Sequence, residues 1–216
     1  MLQYLISLWP LMNYILNFSM FDKITVSNNK IKNNILSAFH TTGSNILNIL
    51  YFITYNESLI NLSATFSMSY FIWDTYRIYL IQRDESIYIL HHIIAINVFD
   101  KINNGLYTDL LLFVTLIAEL SNIPYYIVYH ITKTNKLYSK LTNNTVNNYF
   151  SKKIVKYSKL SQIIVFFILR IIVFTLCIPK INIIDDTMLK FQLYTIYILG
   201  LYWINQQIKG TYKHFI

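Results

Sequence analysis

Two adjacent histidines, His91 and His92, stand inside an apolar stretch of a chain built mostly of apolar stretches. An imidazole placed at a carbonyl serves as general base or nucleophile, with a carboxylate to hold the ring in its productive tautomer. Asp74 and Glu119 lie in other apolar stretches and are the acids suited to that task. His91, His92, Asp74 and Glu119 therefore form the candidate catalytic set. His40, Arg77, Ser121, Asn122 and Arg170 are expected to line the same polar space. Charged side chains cost roughly 2.5–3.5 kcal/mol each at the centre of a bilayer, so a chain that keeps them there is expected to use them. Blander roles compete with these. Asp74 and Arg77, three apart, suit a structural ion pair, and a lone neutral histidine such as His40 is cheap to bury. Neighbours on a helix point about 100° apart. One histidine of the pair is thus expected to face the centre and the other an adjacent helix.

Histidine also binds zinc and iron. The five histidines are His40, His91, His92, His130 and His214. They form neither an H-E-x-x-H motif nor a set of histidine boxes, which excludes a membrane di-iron desaturase or hydroxylase. A mononuclear site from His40, one of the pair and Glu119 is the metal arrangement left open, and no metal or other cofactor is expected. The lone Cys177 excludes an internal disulfide and a cysteine metal site.

The elements that must position these groups are membrane helices. Hydrophobic residues make up 55% of the 216 and charged residues 13%, and mean hydropathy is +0.40; a water-soluble globule of this length needs a more polar surface. Only 4 Gly and 3 Pro interrupt the chain, which favours long helices. The 37 Ile and 21 Asn reflect an AT-rich genome, so single Asn residues carry little information. A span takes about 20 apolar residues. Seven segments qualify: 2–21, 35–55, 60–81, 86–99, 109–131, 160–179 and 190–208, with six spans as the rival count. The fourth is short and is expected to extend toward Asn103 or to be interrupted. Segment 2–21 lacks a basic leader and a cleavage site, so it reads as a retained helix.

Basic residues set the orientation. With the N-terminus outside, 13 Lys and Arg fall in inside loops and 3 in outside loops (Lys101, Lys180 and Lys190), as the positive-inside rule requires. The formal charge of +8 is then topological, and nucleic acid is not expected as a partner. The stretch 132–159, rich in Lys, Asn, Thr and Tyr with no apolar period, reads as a cytosolic connector near anionic lipid.

Polar residues recur at helical spacing within the spans: Ser37, His40, Thr41, Ser44 and Asn48; Ser63, Ser67, Tyr70, Asp74 and Arg77; Thr115, Glu119 and Asn122; Gln162 and Arg170. Lipid cannot satisfy such groups, so each stripe is expected to face the bundle interior. The small ones, Ser37, Ser44, Asn48, Ser63 and Ser67, also suit hydrogen-bonded packing between helices. The expected fold is all-α: about seven transmembrane helices, six around a central chamber.

In these residues the sequence resembles the TLC domain, the family named for TRAM, LAG and CLN proteins. The resemblance runs from about residue 33 to 210. It comprises Ser37-Ala38-Phe39-His40, Ser69-Tyr70-Phe71-Ile72-Trp73-Asp74, Leu90-His91-His92-Ile93, Glu119-Leu120-Ser121-Asn122-Ile123-Pro124, Arg170 and Leu201-Tyr202-Trp203. It implies six helices around a chamber plus an N-terminal helix, dividing the chain into 1–32, 33–210 and a tail, 211–216. It also implies work on membrane lipids, in the endoplasmic reticulum or another internal membrane, a host's included. Ceramide synthases of the family transfer an acyl group from CoA to a sphingoid amine, using the double histidine and later acidic residues. Their H-D-x-x-D-x-x-L-E pattern is absent; Glu119-Leu120-Ser121-Asn122 stands in the corresponding segment. The chain looks more like the TLC-domain-containing branch. Lipid binding or handling is the leading expectation. The alternatives are N-acyl transfer by the histidine pair, with acyl-CoA as co-substrate, and a cargo or translocation role.

Overall fold

The computed structural model describes residues 2–18, 29–81, 86–142 and 150–212. Their regular structure is helical: α1 Leu2–Phe18, α2 Asn29–Thr54, α3 Glu57–Ile81, α4 Ser86–Asn103, α5 Thr108–Leu120, α6 Ile123–Thr142, α7 Lys152–Asn182 and α8 Thr187–Tyr212. Lys23, Arg83, Lys213, His214 and residues 143–149 lie outside the described residues, as do the side chains of Lys30 and Lys140. The helix starting at Ser86 extends to Asn103, as the short fourth segment allows.

Two segments depart from expectation. The fifth, read as a single span over 109–131, is one rod interrupted by a turn at Ser121-Asn122, so that α5 and α6 are its halves. Pro124 explains the break: its ring clashes with the carbonyl four residues earlier and supplies no N–H. Residues 132–159 are not a plain connector either. α6 continues to Thr142 and α7 begins at Lys152, because Lys and Leu in this stretch are good helix formers even without an apolar stripe. The Ser151 hydroxyl caps α7 by accepting from the Ile154 N–H at 3.3 Å. Asn135 clamps the incoming chain, donating to the Phe150 carbonyl at 3.1 Å and accepting from its N–H at 2.7 Å.

Helix contacts close a ring in the order α2, α3, α4, α8, α7, the α5–α6 rod and back to α2. α1 packs outside it against α2 and α3. One end of the ring is filled. Phe99, Ile102, Leu111, Leu112, Phe174, Ile181, Leu189 and Leu193 are all buried there, and α5 sits among α2, α4 and α7. Polar clasps seal this end. Lys101 pairs with Asp186 at 2.7 Å, the Tyr51 hydroxyl donates to Asp109 at 2.6 Å, and the Tyr107 hydroxyl accepts from the Asp185 N–H at 3.1 Å.

The bundle is polar inside and apolar outside. His40, Thr41, Ser44, Asn48, Ser67, Glu119 and Arg170 are buried, while Ile46, Ile53, Ile93, Ile127, Ile172, Leu176, Phe191 and Ile198 are exposed. Such an inversion suits hydrocarbon, which cannot satisfy polar groups. Two stretches, Thr108–Lys136 and Lys152–Asn182, are long and apolar enough to cross a membrane by length and composition alone.

α2 and α3 are joined by a ladder of small polar residues, as the sequence suggested. Ser63 donates to Asn48 at 2.5 Å and Ser67 to Ser44 at 3.0 Å. Gly43 lets the helices approach; a Cβ there would stand 3.0 Å from the Phe66 ring. Gly43→Leu is therefore expected to destabilise the bundle by about 1–3 kcal/mol, read as a lower melting temperature of the purified protein in detergent.

Candidate functional site

The unfilled half of the ring holds a cavity of about 560 Å3, within the usual ~300–1,000 Å3 of small-molecule sites. Its walls come from the starts of α2, α4 and α7, the ends of α3 and α8, and the middle of the rod, where α5 ends and α6 begins. The cavity thus lies toward the end of the bundle from which most basic connectors emerge.

His40, Asp74, Arg77, His91, His92, Glu119, Asn122 and Arg170 all line it. Ser121 stands behind the wall, fully buried, its hydroxyl accepting from Arg170 Nε at 3.0 Å. The expectation that only one histidine of the pair faces the chamber is corrected: both line it. α4 lies between α3 and α8, so two side chains fanned 100° apart still fall on one concave wall. His92 points to α3, with Nε2 3.6 Å from Asp74 Oδ2. His91 meets the Trp203 ring of α8 edge to face at 5.3 Å. Phe71 touches all three chamber imidazoles, with ring centroids 5.2 Å from His40, 6.0 Å from His91 and 5.1 Å from His92.

Asp74 is held mainly by Arg77, whose Nε and Nη2 donate to Oδ1 at 2.8 and 2.5 Å. One helical turn brings the two together, and the pair is nearly buried. Glu119 is not the partner of either histidine in the pair. Its Oε2 accepts from the Thr41 hydroxyl at 2.6 Å, because the rod that carries it packs against α2. Of the two acids, Asp74 is the one placed to orient an imidazole. The mononuclear metal alternative is not assembled: among the described residues no three His, Cys, Asp or Glu side chains gather as ligands. His40 stacks on Tyr70 at 4.1 Å with the rings 8° apart.

Several buried atoms of the chamber-wall side chains have no hydrogen-bond partner among the described residues: His40 Nε2, Arg77 Nη1, His91 Nδ1, His92 Nδ1, Arg170 Nη1 and Gln207 Oε1. Buried polar groups normally find partners, so this is a surface suited to a polar ligand. Arg170 is carried on a π-helical stretch, Phe167–Val173, of the kind that recurs at functional sites.

Other lining residues were not singled out from sequence. Tyr125, Tyr126 and Tyr129 continue the stripe of Glu119 and Asn122, and Trp203, Gln206, Gln207 and Gly210 share a face of α8. Helical spacing could have found both groups. Trp9 had no such signal: a single Trp in α1, it is fully buried and donates to the Ser69 hydroxyl at 2.9 Å.

A helical ring with lipid-compatible outer walls and a polar, ionisable interior has the character of an integral membrane protein. The TLC-domain family model matches residues 2–208, and the chain belongs to that family. TLC domains typically form multi-pass membrane proteins linked to lipid metabolism or handling. Comparison with curated proteins and with solved structures gives no match.

Proposed function

We propose that the protein binds a membrane lipid in this chamber and handles it without being a ceramide synthase. The observation that carries this reading is the set of buried nitrogens of His40, Arg77, His91, His92 and Arg170 that have no partner among the described residues, all on side chains around one cavity. A ligand with several polar atoms would satisfy them together, and an amphiphile can reach such a site from a bilayer. Adding the cognate lipid class to delipidated protein is expected to raise its melting temperature, since a ligand that binds only the folded state stabilises it. A survey of glycerolipids, sphingolipids and fatty acids without any such rise contradicts the reading.

The second reading, acyl transfer, has one geometric observation in its favour. His92 has Asp74 beside Nε2 and a partnerless Nδ1 in the chamber. In that mechanism Nδ1 takes the proton of an attacking amine or hydroxyl as its N or O bonds to the acyl carbonyl carbon, the thioester C–S bond breaks, and the proton passes to the departing CoA thiolate, while Asp74 steadies the ring. Against it, Arg77 already engages Asp74 with two hydrogen bonds, and the acidic pair of the synthases is missing. In cells lacking their own ceramide synthases, no rescue is expected; rescue lost in His92→Ala would favour the second reading.

The topology we propose has seven spans, the N-terminus outside and the C-terminus in the cytosol, in the endoplasmic reticulum or a similar internal membrane. The asymmetry of basic residues supports it, as does the placing of the chamber toward the same end. Lys136 is exposed near the basic end of α6, and the native Cys177 is buried. Lys136→Cys in a Cys177→Ala background is expected to react with an impermeant maleimide only from the cytosolic side. Labelling from the opposite side contradicts the orientation.

A further inference from the structure

Among the described residues, the charges of the chamber wall do not balance. Its lining holds three basic side chains, Arg77, Lys159 and Arg170, and two carboxylates, Asp74 and Glu119. Both acids are taken by the protein: Asp74 by Arg77, and Glu119 by the Thr41 hydroxyl with Arg170 as its facing cation. Lys159 is left over. It is 8% exposed, and among the described residues its ammonium has neither a hydrogen bond nor an ion pair. It begins a stripe on α7, Lys159, Gln162, Phe166 and Arg170, at steps of three, four and four, and all four side chains are buried and line the cavity.

An unpaired charge in a desolvated site is costly, and a counter-charge relieves that cost. The leftover cation therefore favours a ligand with one net negative charge and disfavours a protonated amine. Arg170 Nη1 and Arg77 Nη1, both without partners, add donors of the same sign. Lysine suits a compact oxyanion as a point charge. Deeper in the chamber, the free atoms of His40, His91, His92 and Gln207 suit uncharged hydroxyl, ester or amide groups.

We propose that the ligand is an acidic amphiphile, its oxyanion paired with Lys159 and its uncharged polar atoms turned to the histidines. This rests on the lipid-binding reading and narrows it to one charge class. It runs against a long-chain amine as the resident ligand.

The test uses the full-length protein in nanodiscs of uncharged lipid. Photoactivatable probes share one acyl chain and differ in head: phosphate, carboxylate, phosphocholine or primary amine. Cross-links are mapped to chamber peptides. The phosphate or carboxylate probe is expected to label them roughly tenfold more than the phosphocholine or amine probe, a difference of about 1.4 kcal/mol. Whichever acidic probe dominates assigns the head as phosphate or carboxylate. Lys159→Met is expected to erase the preference, and Lys159→Arg to retain it. Because Lys159 has no hydrogen-bond or ion-pair partner to strand among the described residues, both variants should fold.

Equal labelling by acidic and phosphocholine probes, or preference for the amine, overturns the charge assignment and leaves the lipid-binding reading standing. No chamber labelling by any probe overturns both. Millimolar inorganic phosphate should not displace the acidic probe; displacement would make Lys159 a free-oxyanion site and overturn the amphiphile.

Discussion

Asp74→Ala is expected to destabilise the protein by about 3 kcal/mol, the largest effect of any single change in the chamber wall. The carboxylate accepts two hydrogen bonds from Arg77, and the side chains are only 8% and 12% exposed. Removing one partner of a buried pair leaves the other charge desolvated and uncompensated, which costs roughly 3–5 kcal/mol. The slight exposure of Arg77 places the effect at the lower end. Exchanging both partners for apolar side chains, Asp74→Leu with Arg77→Met, removes the stranded charge and is expected to recover most of the loss. Thermal melting of the purified variants in one detergent checks this. A double variant that melts as low as the sum of the two single losses would show that Asp74 and Arg77 act independently.

Trp9→Ala is expected to be comparably damaging, although α1 lies outside the ring. The indole is fully buried and meets Phe39, His40, Phe66, Tyr70 and Trp73 at centroid distances between 5.0 and 6.5 Å. Truncating a buried Trp typically costs about 3–5 kcal/mol through lost contacts and the cavity left behind. Trp9→Phe should cost much less. It refills most of the space, and the Ser69 hydroxyl it abandons still donates to the Phe66 carbonyl at 2.6 Å. The same ring stack fixes His40 and Tyr70, whose hydroxyl is 2.6 Å from that of Ser37. Trp9→Ala is therefore expected to loosen the chamber wall as well as the outer helix. A variant that melts within 1 °C of the parent would show that α1 is dispensable to the ring.

Much of this was legible because polar groups in an apolar sequence have few places to go. The stripes on α2, α3 and α7 gave the inward faces of three helices, and Asp74–Arg77 followed from three-residue spacing alone. Packing across helices was not legible. Nothing local distinguishes Glu119 as the partner of Thr41 from Glu119 as the partner of a histidine; that choice depends on α5 lying against α2. The joint exposure of His91 and His92 to the chamber depends likewise on α4 sitting between α3 and α8. The helical ends of 132–159 were hidden because reading by apolar period finds only amphipathic helices, and this stretch is held by propensity, a cap and the Asn135 clamp. In sequence Lys159 is one of several lysines in the basic stretch 132–159. Its burial, and the imbalance it creates, appear only when α7 is set against the cavity.

Lipid mass spectrometry of the protein purified from its membrane tests most directly whether the chamber is a lipid site. Wild-type protein is expected to carry a defined lipid class at near-stoichiometric occupancy. Gln207→Trp, which adds bulk where Gln207 lines the cavity, is expected to lose that lipid while retaining the annular lipids common to both preparations. A lipid profile identical in the two proteins, with no class enriched over the bulk membrane, would contradict the account.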